Sequence, residues 1–183
     1  MNIFKLRNIA AAVGVVAALA GISAFTNGPS SLASPIPGCS RAQLSPSLYG
    51  QVGAAAGSEY YNVRLLNTGH TCVIIDSPNV AFAYADNFIA SPYALRVGPS
   101  RQVTVQNGWS AHSILQVANA DNYPPNVCAA VNTSKILIVP PQPRGYRQTG
   151  LTYRPLETHV CSQALPMIHG GAEAQISPLA PGK

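Results

Sequence analysis

Four cysteines constrain the fold of this chain more than any other feature. In chain order they are Cys39, Cys72, Cys128 and Cys161. All four follow an N-terminal segment that begins with Lys5 and Arg7 and is apolar from residue 9 to residue 20. A basic start before an apolar run is typical of an export signal, and cysteines of exported proteins pair in oxidising compartments. The sequence therefore predicts an exported domain that is held by two disulfides.

Residues 1–33 are predicted to be a signal peptide with its cleavage region. Small residues permit cleavage after Ala20, Ala24 or Ala33. One alternative is an uncleaved anchor, since residues 9–25 approach the roughly 20 apolar residues of a spanning helix. Another is lipid modification at Cys39. We expect a secreted or cell-surface protein that meets the membrane only through an uncleaved leader.

Composition indicates a β-rich domain without a nucleic-acid partner. Removing Lys5 and Arg7 leaves nine basic and six acidic side chains, so the net charge falls from +5 to about +3, which is too small to indicate nucleic acid. Charged residues make up 9% of the chain, and short apolar runs alternate with Gly, Pro, Ser, Thr and Asn. We predict one domain over residues 34–168 and a disordered tail over residues 169–183.

The spacing of apolar residues predicts seven to eight short strands. Residues 59–67 alternate with the period of two that a half-buried strand requires. Asn107-Gly108 is typical of a hairpin, which would pair residues 102–106 with residues 109–117. We expect Trp109, at the start of the second of these strands, to be buried in the core. The predicted fold is an all-β, immunoglobulin-like antiparallel β-sandwich with two disulfides.

No pattern in the sequence predicts a catalytic or metal site. The four cysteines lack C-x-x-C spacing, and the four histidines are far apart. His112 and Ser113 are neighbours on a predicted strand, so they point to opposite faces and cannot act as base and nucleophile. Asn119, Asp121 and Asn122 are interpreted as turn caps rather than calcium ligands. No cofactor or metal is predicted, and the six acids are isolated in sequence.

One stretch combines arginines with tyrosines and is a candidate partner-binding patch. Its members are Arg144, Tyr146, Arg147, Tyr153 and Arg154. Arginine forks bind phosphate and carboxylate, and tyrosine supplies rigid contact area. The patch would suit an anionic envelope polymer or a protein partner.

The order of several landmarks resembles a known family. The landmarks are Cys39, the small-residue run 53–58, Asn67-Thr68-Gly69, Cys72, Pro78, Gly108, Ser110-Ala111, Cys128, the L-x-V-P-P stretch 137–141 and Cys161. This order resembles the domain of unknown function 4232, a family common in actinobacterial secreted proteins and lipoproteins with four cysteines. Four cysteines alone permit three pairings. The resemblance implies Cys39 with Cys72, Cys128 with Cys161, an immunoglobulin-like sandwich, and no assigned activity.

The functional prediction is an exported, non-catalytic binding or structural module of the bacterial cell envelope. The alternative is an envelope hydrolase whose site assembles only in three dimensions. A concave pocket with two carboxylates, or with a histidine in contact with an acid, would favour the hydrolase over the binding module.

Overall fold

The computed structural model describes residues 35–55, 57–142, 151–165 and 173–182. The predicted leader, residues 1–33, lies outside the described residues. Eleven strands are present in the described part: β1 Leu44–Ala55, β2 Ser58–Asn67, β3 Cys72–Ile75, β4 Asn79–Ala83, β5 Leu95–Arg96, β6 Gln102–Val105, β7 Ser110–Ala118, β8 Ala130–Val139, β9 Thr152–Cys161, β10 Ala174–Ile176 and β11 Ala180–Gly182. The described helices are short: the 3₁₀ turns Arg41–Gln43 and Ala120–Asn122, and α1 Pro125–Cys128.

The strands form three sheets around a main hydrophobic core. The main sheet has the order β1-β2-β7-β10-β5, and β11 also pairs with β7. The other two sheets are β3-β6 and β4-β8-β9. Buried side chains from all three sheets belong to one cluster, for example Leu65 of β2, Val105 of β6 and Phe82 of β4. The all-β prediction is confirmed, although the β5–β10 pair is parallel rather than antiparallel.

Alternation along β2 fixes the register of the main sheet. Tyr61, Val63 and Leu65 are buried, whereas Asn62 and Arg64 between them are only partly buried. If the pairing shifted by one residue, Arg64 would point into the core, and the three apolar side chains would point into solvent. Period-two patterning therefore decides which face of this sheet packs and which face meets solvent.

Both disulfides join the pairs that the family resemblance implied. Cys39–Cys72 has an S–S distance of 2.06 Å and a Cα–Cα distance of 4.9 Å, and Cys128–Cys161 has distances of 2.10 Å and 4.6 Å. The first bond ties the segment before β1 to β3. The second ties the end of α1 to the end of β9. The predicted pairing is confirmed.

The predicted hairpin at Asn107-Gly108 is wrong about which strands pair. β6 pairs with β3, and β7 pairs with β2, so the turn carries the chain from one sheet to another. Gly108 adopts φ +76°, and its N–H donates to the carbonyl of Asn67 at 2.8 Å. The Asn67 side chain is fully buried and donates to the carbonyl of Val105 at 3.0 Å. Asn67 thus binds the backbone before and after Asn107 and holds the chain where it passes from one sheet to the other. A local turn signal cannot predict this contact, because Asn67 is distant in sequence.

Trp109 is 41% exposed, so the expectation that it is buried in the core is wrong. It lies at the sheet-to-sheet crossing, one residue before β7 begins. Its backbone carbonyl accepts a hydrogen bond from the Asn67 N–H at 2.8 Å. This hydrogen bond holds the backbone of Trp109 in place, while its side chain remains partly exposed to solvent.

The predicted disorder of the tail is wrong for residues 173–182. β10 and β11 both pair antiparallel with β7, and Ile176 and Leu179 are buried in the core. The reason is that β7 offers a long edge with free backbone groups, and burial of two aliphatic side chains adds to ladder hydrogen bonds. A segment without aromatic residues can therefore still be ordered when it pairs with the free edge of a strand such as β7.

Two glycines with similar backbone angles should respond differently to alanine. Gly57 and Gly108 both have φ +76°, which disfavours a Cβ. A Cβ at Gly57 would lie 2.7 Å from Nδ2 of Asn122, the group that donates to the Gly57 carbonyl, whereas nothing lies within 4 Å at Gly108. We expect Gly57→Ala to lower the free energy of unfolding by about 2 kcal/mol and Gly108→Ala by about 1 kcal/mol.

Urea unfolding of both variants, followed by circular dichroism, measures this difference. Equal losses would mean that the Asn122 contact contributes nothing, and that backbone angle alone determines the cost at Gly57.

Candidate functional site

A cleft opens where β1 and β9, at the margins of two sheets, come close together. The line along which these two strands approach each other is called the seam. At one end it is closed by Arg154 of β9, whose Nε and Nη2 donate to the carbonyl of Pro46 in β1 at 3.1 and 2.7 Å. Farther along, residues 54–55 and 57–59, around the β1–β2 turn, face residues 157–159 of β9 across a cavity of about 580 Å³. We call this cavity the seam cleft.

Both strands that border the seam cleft have an unpaired edge in the described part of the chain. β1 pairs with β2 and β9 pairs with β8, with no further strand beyond either of them. β1 contains no charged residue, and its second half, from Tyr49 to Ala55, is exposed. Free backbone groups on an edge strand can pair with an extended segment of another chain. The seam cleft is therefore bordered by backbone that can accept a partner strand.

Carboxylates converge on the seam cleft. Glu59 and Tyr61 are two residues apart on β2, and Glu59 lines the seam cleft while Tyr61 is buried. The Glu59 carboxylate accepts a hydrogen bond from the Tyr61 hydroxyl. Burial of Tyr61, reinforced by Glu59, raises the pKa of the Tyr61 hydroxyl. Asp121 and Glu157 line the same cleft. Three acids that are isolated in sequence thus share one cavity, and no lysine or arginine lines it among the described residues.

A histidine meets one of these acids. Nδ1 of His159 lies 3.4 Å from Oδ1 of Asp121, and the two side chains are 40% and 71% exposed. The contact matches the arrangement that the hydrolase alternative requires. Both side chains, however, are substantially exposed, so bulk water reaches the contact.

The predicted arginine–tyrosine patch is only partly described. Arg144, Tyr146 and Arg147 lie outside the described residues, so that part of the patch stays a prediction. Tyr153 donates its hydroxyl proton to the carbonyl of Asn87 at 3.2 Å, and Arg154 closes the seam. These two neighbours on β9 point to opposite faces of the sheet, so they do not form one surface.

A buried carboxyl that the sequence did not single out lies at the other end of β9. Glu173 is 7% exposed, and its Oε2 accepts a hydrogen bond from the N–H of Cys161 at 2.6 Å. Its Oε1 has no partner among the described residues. Burial raises the pKa of Glu173 to about 7, and the hydrogen bond from Cys161 only partly offsets this. The residue lies in the tail, where no sequence pattern indicated order.

Asn119 has a local structural role. The side chain of Asn119 accepts a hydrogen bond from the Asp121 N–H at 3.0 Å, which is the capping role predicted for it. Across the described ranges, no three His, Cys, Asp or Glu side chains are grouped so that they could hold a metal ion. No helix within these ranges is long and apolar enough to cross a membrane.

Comparison with known proteins gives one match. A family model described as Domain of unknown function (DUF4232) matches residues 39–166, which is more than half of the chain. The matched span begins at the first disulfide cysteine and includes β1 to β9. The chain matches no curated protein and no solved structure.

Proposed function

The chain belongs to the DUF4232 family, and from that premise we propose that it is an exported, non-catalytic binding module of the cell envelope that holds an extended, cationic partner segment in the seam cleft. The observation that carries the proposal is that Glu59, Asp121 and Glu157 line one cleft, which two unpaired sheet edges border. Edge backbone supplies hydrogen bonds to an extended chain, and the carboxylates favour lysine or arginine side chains on it.

Export is supported by the disulfides and by the predicted leader. Structural disulfides persist in oxidising compartments and are rare in the cytosol. Both bonds in this chain are buried, with each cysteine at most 2% exposed. Such bonds stabilise the fold of a small domain in compartments outside the cytosol, where chaperones of the cytosol are absent.

A second candidate function is an envelope hydrolase. The contact between His159 and Asp121, with Glu157 in the same cleft, is the specific observation that favours it. In that mechanism a carboxylate would activate water while a second group protonated the leaving atom. The exposure of Asp121 argues against it, so it ranks second.

Charge complementarity can be tested with a defined peptide. A nine-residue peptide of alternating lysine and valine is titrated into the oxidised protein at low salt, and binding is measured by calorimetry. We expect Glu157→Gln to weaken binding about fivefold, since one exposed carboxylate near a cation contributes about 1 kcal/mol. Binding should also weaken as salt rises.

The matched control is Asp76→Asn, which also removes one carboxylate. Asp76 pairs with Arg96 at 3.8 Å and does not line the seam cleft. We expect this variant to bind the peptide as the unmodified protein does. Equal weakening by both variants, or equal binding of a glutamate–valine peptide, would contradict the proposal. Turnover of purified envelope polymer that is lost in Asp121→Asn would establish the hydrolase instead.

A further inference from the structure

A separate pocket lies on the outward face of the main sheet. It encloses about 420 Å³ and shares no lining residue with the seam cleft. Its lining comes from four strands: Tyr49 of β1, Asn62 and Arg64 of β2, Ser110 and His112 of β7, and Gly182 of β11. None of these side chains is acidic. We call this site the Arg64 pocket.

Strand register explains why these side chains meet. Asn62 and Arg64 are two residues apart on β2, so both point away from the core. Tyr49 is directly opposite Asn62, and His112 is directly opposite Arg64. Directly opposed residues have Cβ atoms about 5 Å apart, which places four polar side chains within one small area.

The Arg64 side chain is held without a carboxylate partner. Its Nη1 donates to the Tyr49 hydroxyl, and its guanidinium carbon lies 5.5 Å from the centroid of the Tyr49 ring. Both interactions orient the guanidinium plane. The ion pairs of the described residues do not include Arg64. No carboxylate of the described residues therefore forms an ion pair with this guanidinium.

Two polar atoms of the Arg64 pocket lack hydrogen-bond partners in the described part of the protein. They are Nε of Arg64, a donor, and Oδ1 of Asn62, an acceptor, and both are shielded by neighbouring atoms. An unsatisfied buried polar group typically costs about 1 to 3 kcal/mol. A ligand that offered one acceptor and one donor would satisfy both atoms. Because both atoms are shielded, binding requires the Arg64 side chain to rotate from its present contact with Tyr49.

We propose that the Arg64 pocket binds a small hydroxycarboxylate of about monosaccharide size. The carboxylate accepts two hydrogen bonds from the Nε and Nη2 edge of Arg64, and a hydroxyl beside it donates to Oδ1 of Asn62. The pocket volume fits a sugar acid better than a bare ion, because small-molecule sites usually enclose about 300 to 1,000 Å³. This site goes beyond the partner binding proposed for the seam cleft, and it does not depend on it.

The test uses D-glucuronate as the probe and the full oxidised protein. Titration is followed by ¹H–¹⁵N NMR, with D-glucose and inorganic phosphate as comparison ligands. We expect glucuronate to shift the signals of Asn62, Arg64 and His112. Glucose, which lacks the carboxylate, and phosphate, which is tetrahedral and has no carbon-bound hydroxyl beside a planar carboxylate, should each bind at least tenfold more weakly.

Two variants and a control test the roles of the Arg64 guanidinium and the Asn62 side chain. Arg64→Lys keeps the charge but loses the planar fork, so we expect at least tenfold weaker glucuronate binding. Arg96→Lys is the matched control, since Arg96 donates to Asn79 and lies outside the pocket. It should leave binding unchanged. Asn62→Asp, which opposes the ligand carboxylate with a like charge, should also weaken glucuronate binding at least tenfold.

Folding of each variant is checked by thermal unfolding. Glucose or phosphate binding as tight as that of glucuronate would overturn the hydroxycarboxylate assignment. Glucuronate binding that survives both Arg64→Lys and Asn62→Asp in folded protein would overturn the site itself.

Discussion

Reduction of both disulfides is expected to leave the chain largely unfolded at 25 °C. Each bond closes a loop with a sequence separation of 33, and on the chain-entropy model a loop of this length stabilises the fold by about 3 to 4 kcal/mol. Together they supply about 6 to 8 kcal/mol, whereas a typical domain has a total stability of about 5 to 15 kcal/mol. The measurement is urea unfolding with and without a phosphine reductant, followed by circular dichroism.

The two bonds can be separated by removing them in pairs. The variants are Cys39→Ala/Cys72→Ala and Cys128→Ala/Cys161→Ala. Alanine is preferred to serine because all four positions are at most 2% exposed, and a buried hydroxyl would add its own cost. Each pair should lower the free energy of unfolding by about 3 to 4 kcal/mol. A loss below about 1 kcal/mol for either pair would contradict the loop-entropy account for that bond.

Stability should fall as pH rises from about 4.5 to 7 because of Glu173. Its pKa is about 7 in the folded protein and 4.5 when it is freely solvated. In this interval the folded state keeps a proton that the unfolded state has released, so raising the pH favours unfolding. The contribution is complete below pH 4.5, is lost through pH 7, and amounts to about 3 kcal/mol.

Urea unfolding at several pH values checks this expectation, with Glu173→Gln as the test variant. Glutamine does not ionise, and its amide oxygen can still accept the hydrogen bond from Cys161. We expect this variant to lose most of the decline between pH 4.5 and 7. Glu157→Gln, at an exposed position, should retain it. The same pH slope in the wild type and in Glu173→Gln would contradict the assignment.

Strands with strong alternation could be predicted from sequence, and edge strands could not. Residues 59–67 were predicted as a strand and correspond to β2, Ser58–Asn67. β1 gave no such signal, because much of it is exposed and its pairing shifts register at Tyr49/Gln51 and Gln51/Gly53. Exposure on both faces removes the apolar period, and each register shift interrupts the alternation that remains. Eleven described strands therefore exceed the predicted seven to eight.

The candidate sites depend on contacts that no local pattern encodes. Glu59, Asp121 and Glu157 are scattered through the chain, and pairing of distant strands brings them to one cleft. Asn62 and Arg64 belong to a correctly predicted strand, but only the registers with β1 and β7 show what faces them. Sequence periodicity identified the outward face of β2. It could not identify the neighbours on that face.

The late entry of β10 and β11 into the main sheet affects the order in which the protein can fold. Fifty-five residues lie between the end of β7 at Ala118 and the start of β10 at Ala174. A chain still emerging from the ribosome has β7 available before the strands that cover its edge. The edge of β7 stays open until residues 173–182 are free, so final closure of the sheet must follow the release of this segment. Chaperones that shield open strand edges would act in that interval.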